Sequence, residues 1–530
     1  MLDAIRYYDR ALRGLSRRDL LKLAWFLGAA AVVPTLGTRR VWAKPIFDAY
    51  PFPLGVASGD PLPDGVVLWT RLAPKPLEGG GMPMSDVEVD WEVARDAAFR
   101  QIALKGTTLA RPELGHSVHV EVSGLEPGRE YWYRFRAGDE VSQTGRTKTA
   151  PPANAPVDRI RFAVCGCNHY EVGYFTAFRR MAAEQFDFVF HSGDYIYESR
   201  ANGGRNDAVV RQHNGHEPYT LTDYRNRYAL YKSDPDLKAA HASAPFVMAW
   251  DDHEVDNNYA NDIDEHGTPP EIFLLRRAAA YQAYYETMPL RADALPRGSN
   301  MRIYRRLQFG DLIDMSVLDT RQWRSDQACG DGSHTNCAEA LDPRRTILGA
   351  EQERWLFDNL ATVRAKWTVL AQQVPTFAND HKAIDPDGQF SMDKWDGYVP
   401  SRTRLYARLL ETRAPNPIVL SGDVHMHYGA DLKTDFTDPR SATVGTEFTN
   451  SSITSIGDGW DVAPTWEQTR GDNPHIKYHS ARRGYIACTA TPQAMRADFR
   501  ILDKVTVRDR PIATGGSLVV QAGHAGSHTD

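Results

Sequence analysis

The feature that most constrains the fold of this chain is a series of short apolar segments that alternate with segments of helical spacing. The apolar segments lie at residues 161–165, 186–191, 246–250, 367–371 and 417–421. Helical spacing is found at residues 175–185, 351–363 and 402–412. Short buried strands that alternate with helices are typical of an α/β fold, in which helices cover both faces of a sheet. We therefore predict an α/β fold for this region.

Residues that can bind metals or catalyse a reaction follow each apolar segment. In open α/β sheets, ligands bind at the carboxyl ends of the strands, so these residues are expected to meet in one crevice. A single Gly-Asp pair after a strand is usually only a turn, but five such strand ends are hard to obtain by chance. The residues predicted in the crevice are Cys167, Asp194, Tyr197, Asp252, His253, Gln373, Asp423 and His425.

The predicted crevice mixes soft and hard ligands, which indicates two unlike metal ions. The Cys167 thiolate, the Tyr197 phenolate and the His425 imidazole suit a redox-capable transition metal, and Fe³⁺ is the best match. The Asp252 and Asp423 carboxylates suit a hard cation such as Ca²⁺ or Mg²⁺.

Asp194 lies three residues before Tyr197 and is placed to bridge both ions. The amide oxygen of Gln373 is a further candidate ligand for the hard cation. His169 and His427 adjoin the crevice but are not needed as ligands. Two metal ions about 4 Å apart are the standard arrangement for in-line attack on phosphorus, so the pattern points to phosphoryl transfer.

Three blocks of this sequence resemble, in altered form, the signature of the calcineurin-like metallophosphoesterases. The blocks are Asp194-x-x-Tyr197, Asp252-His253-Glu254 and Gly422-Asp423-x-His425. The alterations are Cys167 in place of an Asp, Asp252 in place of an Asn, Gln373 in place of a His, and Asp423 in place of a His. The same departures are found in the PhoD-type alkaline phosphatases and phosphodiesterases, and the likeness covers about residues 50–525.

The resemblance implies an αββα catalytic domain of four layers at residues 157–525. The implied Fe³⁺ ligands are Cys167, Asp194, Tyr197 and His425. The implied Ca²⁺ ligands are Asp194, Asp252 and Asp423, and carboxylates suit Ca²⁺ because it prefers oxygen. The expected activity is hydrolysis of phosphate mono- and diesters, in small molecules or in phosphodiester polymers and lipids. Phospholipase D or teichoic-acid phosphodiesterase specificity stays open within the family.

The mechanism expected from this arrangement is attack by a metal-activated hydroxide or oxide on phosphorus, in line with the leaving alcohol. His253 is expected to hydrogen-bond the phosphate or to protonate the leaving oxygen. Arg321 is expected to hold a phosphoryl oxygen by bidentate contact. The alternatives are that His253 contacts the metal ligands instead of the substrate, and that Arg321 is a surface or ion-pair residue.

The region before the α/β pattern, residues 51–150, reads as all-β. Short apolar segments are separated by Gly, Pro and Asp turns, and Tyr131 stands near the start of a strand that follows a Pro-Gly turn. This placement is similar to the tyrosine corner of immunoglobulin and fibronectin-type sandwiches. We predict an N-terminal β-sandwich domain at residues 44–150, followed by a Pro-rich linker at residues 151–156.

The first 43 residues carry eight basic and three acidic side chains, whereas the whole chain has a net charge of −6. The pair Arg17-Arg18 precedes a modest apolar stretch, as in twin-arginine export signals. Lys22 and Pro34 interrupt that stretch and make it a poor membrane anchor. We predict a signal peptide at residues 1–43, export by the Tat machinery, and a periplasmic or secreted enzyme. A basic amphipathic helix is the alternative.

Composition excludes some classes of protein and leaves others open. The negative net charge argues against a nucleic-acid-binding surface.

Cys329 and Cys337 flank a short polar loop and are expected either as a disulfide or as free thiols. Residues 431–480 are polar and read as a loop. Two other functions compete with phosphatase activity: another hydrolase that uses the same metals on a non-phosphate substrate, and a non-catalytic surface binding protein.

Overall fold

The computed structural model describes residues 45–202, 209–335, 337–381 and 388–530. The predicted signal peptide at residues 1–43 lies outside these ranges. Within them, two large sheets of ten and seven strands form the centre of the fold. No helix of the described ranges is long and apolar enough to cross a membrane.

The ten-stranded sheet joins strands from both ends of the chain. In spatial order its strands run β24-β23-β22-β21-β9-β10-β11-β1-β2-β5, and β9, β10, β11 and β1 are parallel. Their bounds are β1 Val56–Leu62, β2 Gly65–Arg71, β5 Ser117–Ser123, β9 Ile160–Cys165, β10 Phe188–His191, β11 Pro245–Met248, β21 Arg483–Ala490, β22 Ala494–Leu502, β23 Ile512–Gln521 and β24 His528–Thr529.

The seven-stranded sheet runs β12-β13-β15-β17-β19-β18-β20, with β13, β15, β17 and β19 parallel. Its strands are β12 Arg305–Phe309, β13 Ile313–Val317, β15 Trp367–Ala371, β17 Pro417–Ser421, β18 His427–Lys433, β19 Thr443–Thr449 and β20 Ile476–Ser480. The pair β14 Ser333–His334 and β16 Phe390–Ser391 forms a separate small sheet.

Alternating side chains of the seven-stranded sheet pack into two different cores. Val369 and Ile418 pack in the same core as the ten-stranded sheet, whereas Leu370 and Val419 pack with Leu405 and other helix residues on the opposite face. A sheet with both faces buried has apolar residues at successive positions, which explains the short continuous apolar segments in the sequence.

Six helices of the described ranges contribute to these cores, and a seventh is a single turn. Those packed with the ten-stranded sheet are α1 Thr176–Ala183, α2 Leu221–Lys232, α3 Pro235–Ser243 and α4 Pro270–Thr287. Those on the outer face of the seven-stranded sheet are α5 Gly349–Leu360 and α6 Val399–Glu411, and the single turn is α7 Trp466–Thr469. The mixed α/β fold agrees with the prediction, and the helix and strand ends differ from it by a few residues.

The N-terminal region consists mainly of strands, and three of these strands belong to the ten-stranded sheet. Strands β1, β2 and β5 extend the ten-stranded sheet, and Ser58 of β1 pairs with Pro245 of β11. A second sheet, with Val89 and Tyr133, packs against Leu68 of β2. Its strands are β3 Val87–Ala94, β4 Ile102–Ala110, β6 Glu130–Ala137, β7 Glu140–Val141 and β8 Gly145–Lys148. The pattern of strands and turns gave no sign that β1 pairs with a strand so much later in the chain.

The prediction that residues 431–480 form a loop is wrong. Strand β19 lies inside that range, at a central position of the seven-stranded sheet between β17 and β18. Its sequence, Thr-Val-Gly-Thr-Glu-Phe-Thr, has polar residues at most positions, and Thr446, Glu447 and Thr449 are nonetheless buried. A strand that buries hydrogen-bonded polar side chains lacks the apolar pattern that sequence reading depends on.

Candidate metal centre

The candidate ligands lie on loops that leave the carboxyl ends of parallel strands in both large sheets. Cys167 follows β9, Asp194 follows β10 and Asp252 follows β11. Asp423 and His425 follow β17 of the other sheet. The two sheets therefore bring the edges that carry these residues together, as the order of strands and polar residues predicted.

Three groups of side chains are close enough to hold a metal ion, with ligand atoms within 4.8 Å of one another. The groups are Cys167, Asp194 and His425; Asp194, Asp252 and His253; and Asp251, Asp252 and Asp423. Asp194 is shared by the first two groups and Asp252 by the last two. Cys167 and His425, the softer ligands, are in the first group, and the third group consists of carboxylates alone.

Four candidate ligands have a left-handed backbone. Cys167, Asp194, Asp423 and His425 have φ values of 57°, 54°, 68° and 56°. This conformation costs a non-glycine residue about 1 kcal/mol, and it persists where the surrounding fold enforces it, as at ligand-binding sites. Gly193 is required between β10 and Asp194, because a Cβ atom there would lie 2.3 Å from the backbone nitrogen of Asp251.

Tyr197 is held at the centre by hydrogen bonds and ring contacts. Its hydroxyl donates to Oδ2 of Asp194 at 2.8 Å and lies 3.1 Å from Nε2 of His425. The Ser455 hydroxyl donates to the Tyr197 oxygen at 2.6 Å. The Tyr197 ring contacts two imidazoles, with centroid distances of 4.1 Å to His253 and 4.4 Å to His169. The phenol is thus in place to complete the first ligand group.

Three of the buried acids of the centre have one carboxylate oxygen that makes no hydrogen bond to the described residues. Oδ1 of Asp194, Oδ2 of Asp251 and Oδ1 of Asp252 are buried oxygens without a hydrogen-bond partner in the described part of the chain. Burial, together with the neighbouring Asp194 and Asp423 carboxylates, raises the pKa of the Cys167 thiol. Burial also raises the pKa of Tyr197, and Asp194 adds to that rise. Buried anionic oxygens need partners, and bound cations would supply them, so these residues fit metal ions.

His253 lies in the second ligand group and is hydrogen-bonded on its other side. Its Nδ1 is 2.7 Å from Oε2 of Glu198. Burial disfavours a charged imidazole, but Glu198, Asp194 and Asp252 outweigh burial and raise the pKa of His253 well above its ordinary value. His253 therefore holds a proton readily at this place. His427 is elsewhere: its Nδ1 accepts from the Ser451 backbone N–H at 3.1 Å, and it belongs to none of the three groups.

Two predicted residues have different partners from those expected. Arg321 is 0% exposed and donates to Asp251, to Asp393 at 2.9 Å and to Asp423 at 2.7 Å. Its guanidinium is thus occupied by carboxylates, as in the alternative interpretation, and does not support the predicted bidentate phosphoryl contact. The amide oxygen of Gln373 accepts from the Thr320 hydroxyl at 2.7 Å, so it is hydrogen-bonded to the loop after β13.

Sequence reading missed two charged residues that lie next to the predicted ligands. The Asp393 carboxylate accepts from Arg324 at 2.7 Å as well as from Arg321. Lys394 donates to Oδ2 of Asp423 and lies 3.0 Å from Oδ2 of Asp393. Neither residue follows a strand of the large sheets, and the only signal is the cluster of charged and aromatic residues at 393–396.

Cys329 and Cys337 form a disulfide, which settles the choice between a bridge and free thiols. The loop they close is connected to the ligands, because Asn258 donates from its side chain to Asp331 at 2.7 Å and from its backbone to Oδ2 of Asp252 at 2.7 Å. The disulfide loop therefore helps to place Asp252.

Comparison with known proteins agrees with this geometry. A family model described as PhoD-like phosphatase matches residues 162–499, and one described as PhoD-like phosphatase, N-terminal domain, matches residues 39–151. The chain belongs to the PhoD-like phosphatase family. The resemblance inferred from the sequence blocks is thereby confirmed, and membership makes the chain a phosphoric ester hydrolase.

Two relatives of this phosphatase match most of its length. Alkaline phosphatase D of Bacillus subtilis (strain 168) is 50% identical over 510 residues, which cover 95% of this chain and 87% of the relative. A solved structure described as "Structure of PhoD" has a TM-score of 0.90 and 50% identity, and covers 92% of this chain and 93% of that chain. The mixed α/β fold is thus that of a solved PhoD structure.

In this phosphatase, Glu447 is a buried acid beneath the loop that carries Asp423. It accepts hydrogen bonds from the Ser421 hydroxyl at 2.5 Å and from the Thr376 backbone N–H at 3.0 Å. Burial raises the pKa of Glu447 to about 7, although these hydrogen bonds oppose the rise. The folded state therefore keeps a proton that the unfolded chain releases near its ordinary pKa of 4.5.

The stability contributed by protonated Glu447 is expected to fall as the pH rises from about 4.5 to about 7, and then to level off. The full change corresponds to about 3 kcal/mol, from 1.36 kcal/mol per pKa unit. Glu447→Gln cannot titrate, so its free energy of unfolding should depend less on pH over this window. Urea unfolding at pH 5 and pH 8.5 measures the effect, with the exposed Glu467→Gln as control. Parallel pH profiles for Glu447→Gln and wild type would contradict it.

Proposed function

We propose that this PhoD-like phosphatase hydrolyses phosphate mono- and diesters at a mixed Fe³⁺/Ca²⁺ centre. The observation that carries the proposal is the set of three ligand groups, which share Asp194 and Asp252 and include buried oxygens without hydrogen-bond partners among the described residues. The ligand types differ between the groups, and Fe³⁺ and Ca²⁺ have matching preferences.

In this proposal Cys167, Asp194, Tyr197 and His425 hold Fe³⁺. Asp194, Asp252 and Asp423 hold Ca²⁺, and Asp252 shares one ligand group with Asp194 and another with Asp423. When bound, these ions supply positive charge to the phosphoryl group and activate water for attack on phosphorus. The Ser455 hydroxyl orients the Tyr197 phenol, and the Arg321 guanidinium links Asp251 and Asp423 and holds them in position.

His253 is proposed to donate its proton to the leaving oxygen of the ester. Its contact with Glu198 fixes the ring through Nδ1 and leaves Nε2 for the substrate. Nearby carboxylates favour the protonated form, which is the form needed at the start of the reaction. The Glu198 contact uses Nδ1, so Nε2 is the nitrogen proposed to donate.

The proposed substrates include diesters because the centre adjoins a cavity of about 380 Å³. Its lining includes the charged residues Asp423 and Lys394 and the less polar residues Tyr428, Met426 and Trp466. A monoester needs only the charged residues, whereas the less polar ones offer a surface to a second alcohol group. Phospholipase D or teichoic-acid specificity is compatible with this shape. A non-catalytic binding protein is disfavoured, because each predicted metal ligand is present in or beside a group.

We further propose export by the twin-arginine pathway to the periplasm or the medium. The basic leader with Arg17-Arg18 supports this location, and so does the Cys329–Cys337 disulfide, because disulfides persist in oxidising compartments. The proposed architecture is an immunoglobulin-like sandwich followed by an αββα domain. The Tyr131 hydroxyl, which accepts from the Glu126 backbone N–H at 2.9 Å, supports a tyrosine corner.

The purified enzyme is expected to show a visible tyrosine–Fe³⁺ absorption band that Tyr197→Phe abolishes. Tyr195→Phe is the matched control, because Tyr195 lies two residues away and bonds to His241 instead of a ligand. Absorption spectra, metal analysis, and assays with an aryl phosphate and its bis-ester make up the test. A colourless, iron-free and fully active enzyme would refute the iron assignment, and inactivity on both esters would refute the proposed reaction.

A further inference from the structure

We propose that Lys394 contacts the phosphoryl group of the substrate, the role that the sequence suggested for Arg321. This inference rests on the proposed function, since it requires a phosphate ester at the centre. Lys394 follows β16, and its buried neighbours Asp393 and Trp395, which are 4% and 0% exposed, fix the backbone on both sides. Its position is therefore set by packing.

Two cations are hydrogen-bonded to Asp423 in the described part of the chain, and they differ in their access to the cavity. The Arg321 side chain is completely buried, whereas the Lys394 side chain is 17% exposed and lines the cavity of about 380 Å³ together with Asp423. A substrate that enters this cavity meets Lys394 and cannot meet Arg321.

A cation bound at Asp423 would compete with these two partners for carboxylate oxygens. Arg321 takes Oδ1 and Lys394 takes Oδ2. The rigid, planar guanidinium of Arg321 also donates to Asp251 and Asp393, whereas the Lys394 side chain is flexible. Lys394 is therefore the partner that gives up its oxygen when a cation binds.

Lys394 would stay at the cavity wall after it leaves Asp423. Oδ2 of Asp393 lies 3.0 Å from its ammonium, and Asp393 is itself held by Arg321 and Arg324. An ammonium held there places a positive charge where phosphoryl oxygens enter. Charge-assisted hydrogen bonds to phosphate are among the stronger contacts that a lysine makes.

The test compares Lys394→Gln and Lys394→Arg with wild type in the metal-loaded enzyme. For Lys394→Gln, kcat/KM for an aryl phosphate should fall by about a hundred-fold, the loss typical of one removed electrostatic contact. The inhibition constant of inorganic phosphate should rise about ten-fold, in line with the loss of one charged hydrogen bond. Iron and calcium contents should not change, and Lys394→Arg should recover part of both effects.

Lys433→Gln is the matched control, because its ammonium bonds to Ser441 and Thr443 away from the centre. A wild-type inhibition constant for phosphate in Lys394→Gln overturns the proposal. Metal loss in proportion to activity also overturns it, because Lys394 would then act only on Asp423. Lys394→Met gives the same readouts if the Gln variant does not fold. Inactive wild-type enzyme refutes the proposed function, whereas active wild type with an unaffected Lys394→Gln refutes only this inference.

Discussion

Asp194→Asn is expected to lower kcat for phosphate ester hydrolysis by at least about a hundred-fold. Mutation of residues that only hydrogen-bond to metal ligands already lowers metal affinity or activity by about ten- to a hundred-fold. Asp194 belongs to two of the three ligand groups. One of its oxygens accepts from Tyr197, and the other has no hydrogen-bond partner within the ranges that the structure describes. An amide keeps the shape but removes the charge, so both ions should bind more weakly.

The measurement is steady-state hydrolysis of an aryl phosphate together with iron and calcium analysis of each variant. Asp498→Asn is the control, because Asp498 lies on β22 and pairs with Arg496. In chelator, the stability of Asp194→Asn should differ little from that of wild type, because burial already raises the pKa of Asp194 and disfavours its charged form. Normal metal content combined with wild-type activity would show that Asp194 is not a shared ligand.

Arg321→Met is expected to destabilise the fold by about 3–5 kcal/mol, the usual cost of breaking a buried ion pair from one side. Arg321 is 0% exposed, and its removal leaves Asp251, Asp393 and Asp423 without their common cation. Bound metal would compensate the charge of Asp423 in part. The loss should therefore be larger in chelator than in metal-loaded buffer.

Urea unfolding with and without a chelator measures this difference. Arg404→Met provides a matched control, because Arg404 also makes a bidentate contact, with Glu353, but its side chain is 36% exposed. Exposed pairs contribute about 0–1 kcal/mol, so this control should cost little. If Arg321→Met unfolds at the same urea concentration as wild type in chelator, the carboxylates around Arg321 do not depend on its charge.

The sequence was sufficient to predict which loops form the centre, because that prediction depends on strand order. The residues that follow parallel strands lie at the same edge of the sheet. Cys167, Asp194 and Asp423 could therefore be predicted from short apolar segments and the residues after them. The ion-pair partners were not found. Asp393 and Lys394 follow a two-residue strand, and no periodic pattern marks such a strand.

The same limit explains why the hydrogen-bond partners of Arg321 and Gln373 were not predicted and why strand β19 was missed. Sequence position placed Arg321 and Gln373 near the crevice, but which donor meets which acceptor depends on side-chain packing. Strand β19 was missed because its buried side chains include Glu447 and Thr449, which make hydrogen bonds and interrupt the apolar pattern. Local pattern predicts backbone elements with an apolar face, and it does not predict polar networks formed between distant segments.

The pairing of β1 with β11 has a consequence for the order in which the chain folds during synthesis. Domains usually fold from the N-terminus as they emerge from the ribosome. Here β1 has one neighbour, β2, early in synthesis, and its parallel neighbour, Pro245–Met248, emerges much later. Until then, one edge of β1 stays open to other chains, and open edges promote aggregation. We therefore expect this edge of the nascent N-terminal region to be prone to aggregation until β11 has been made.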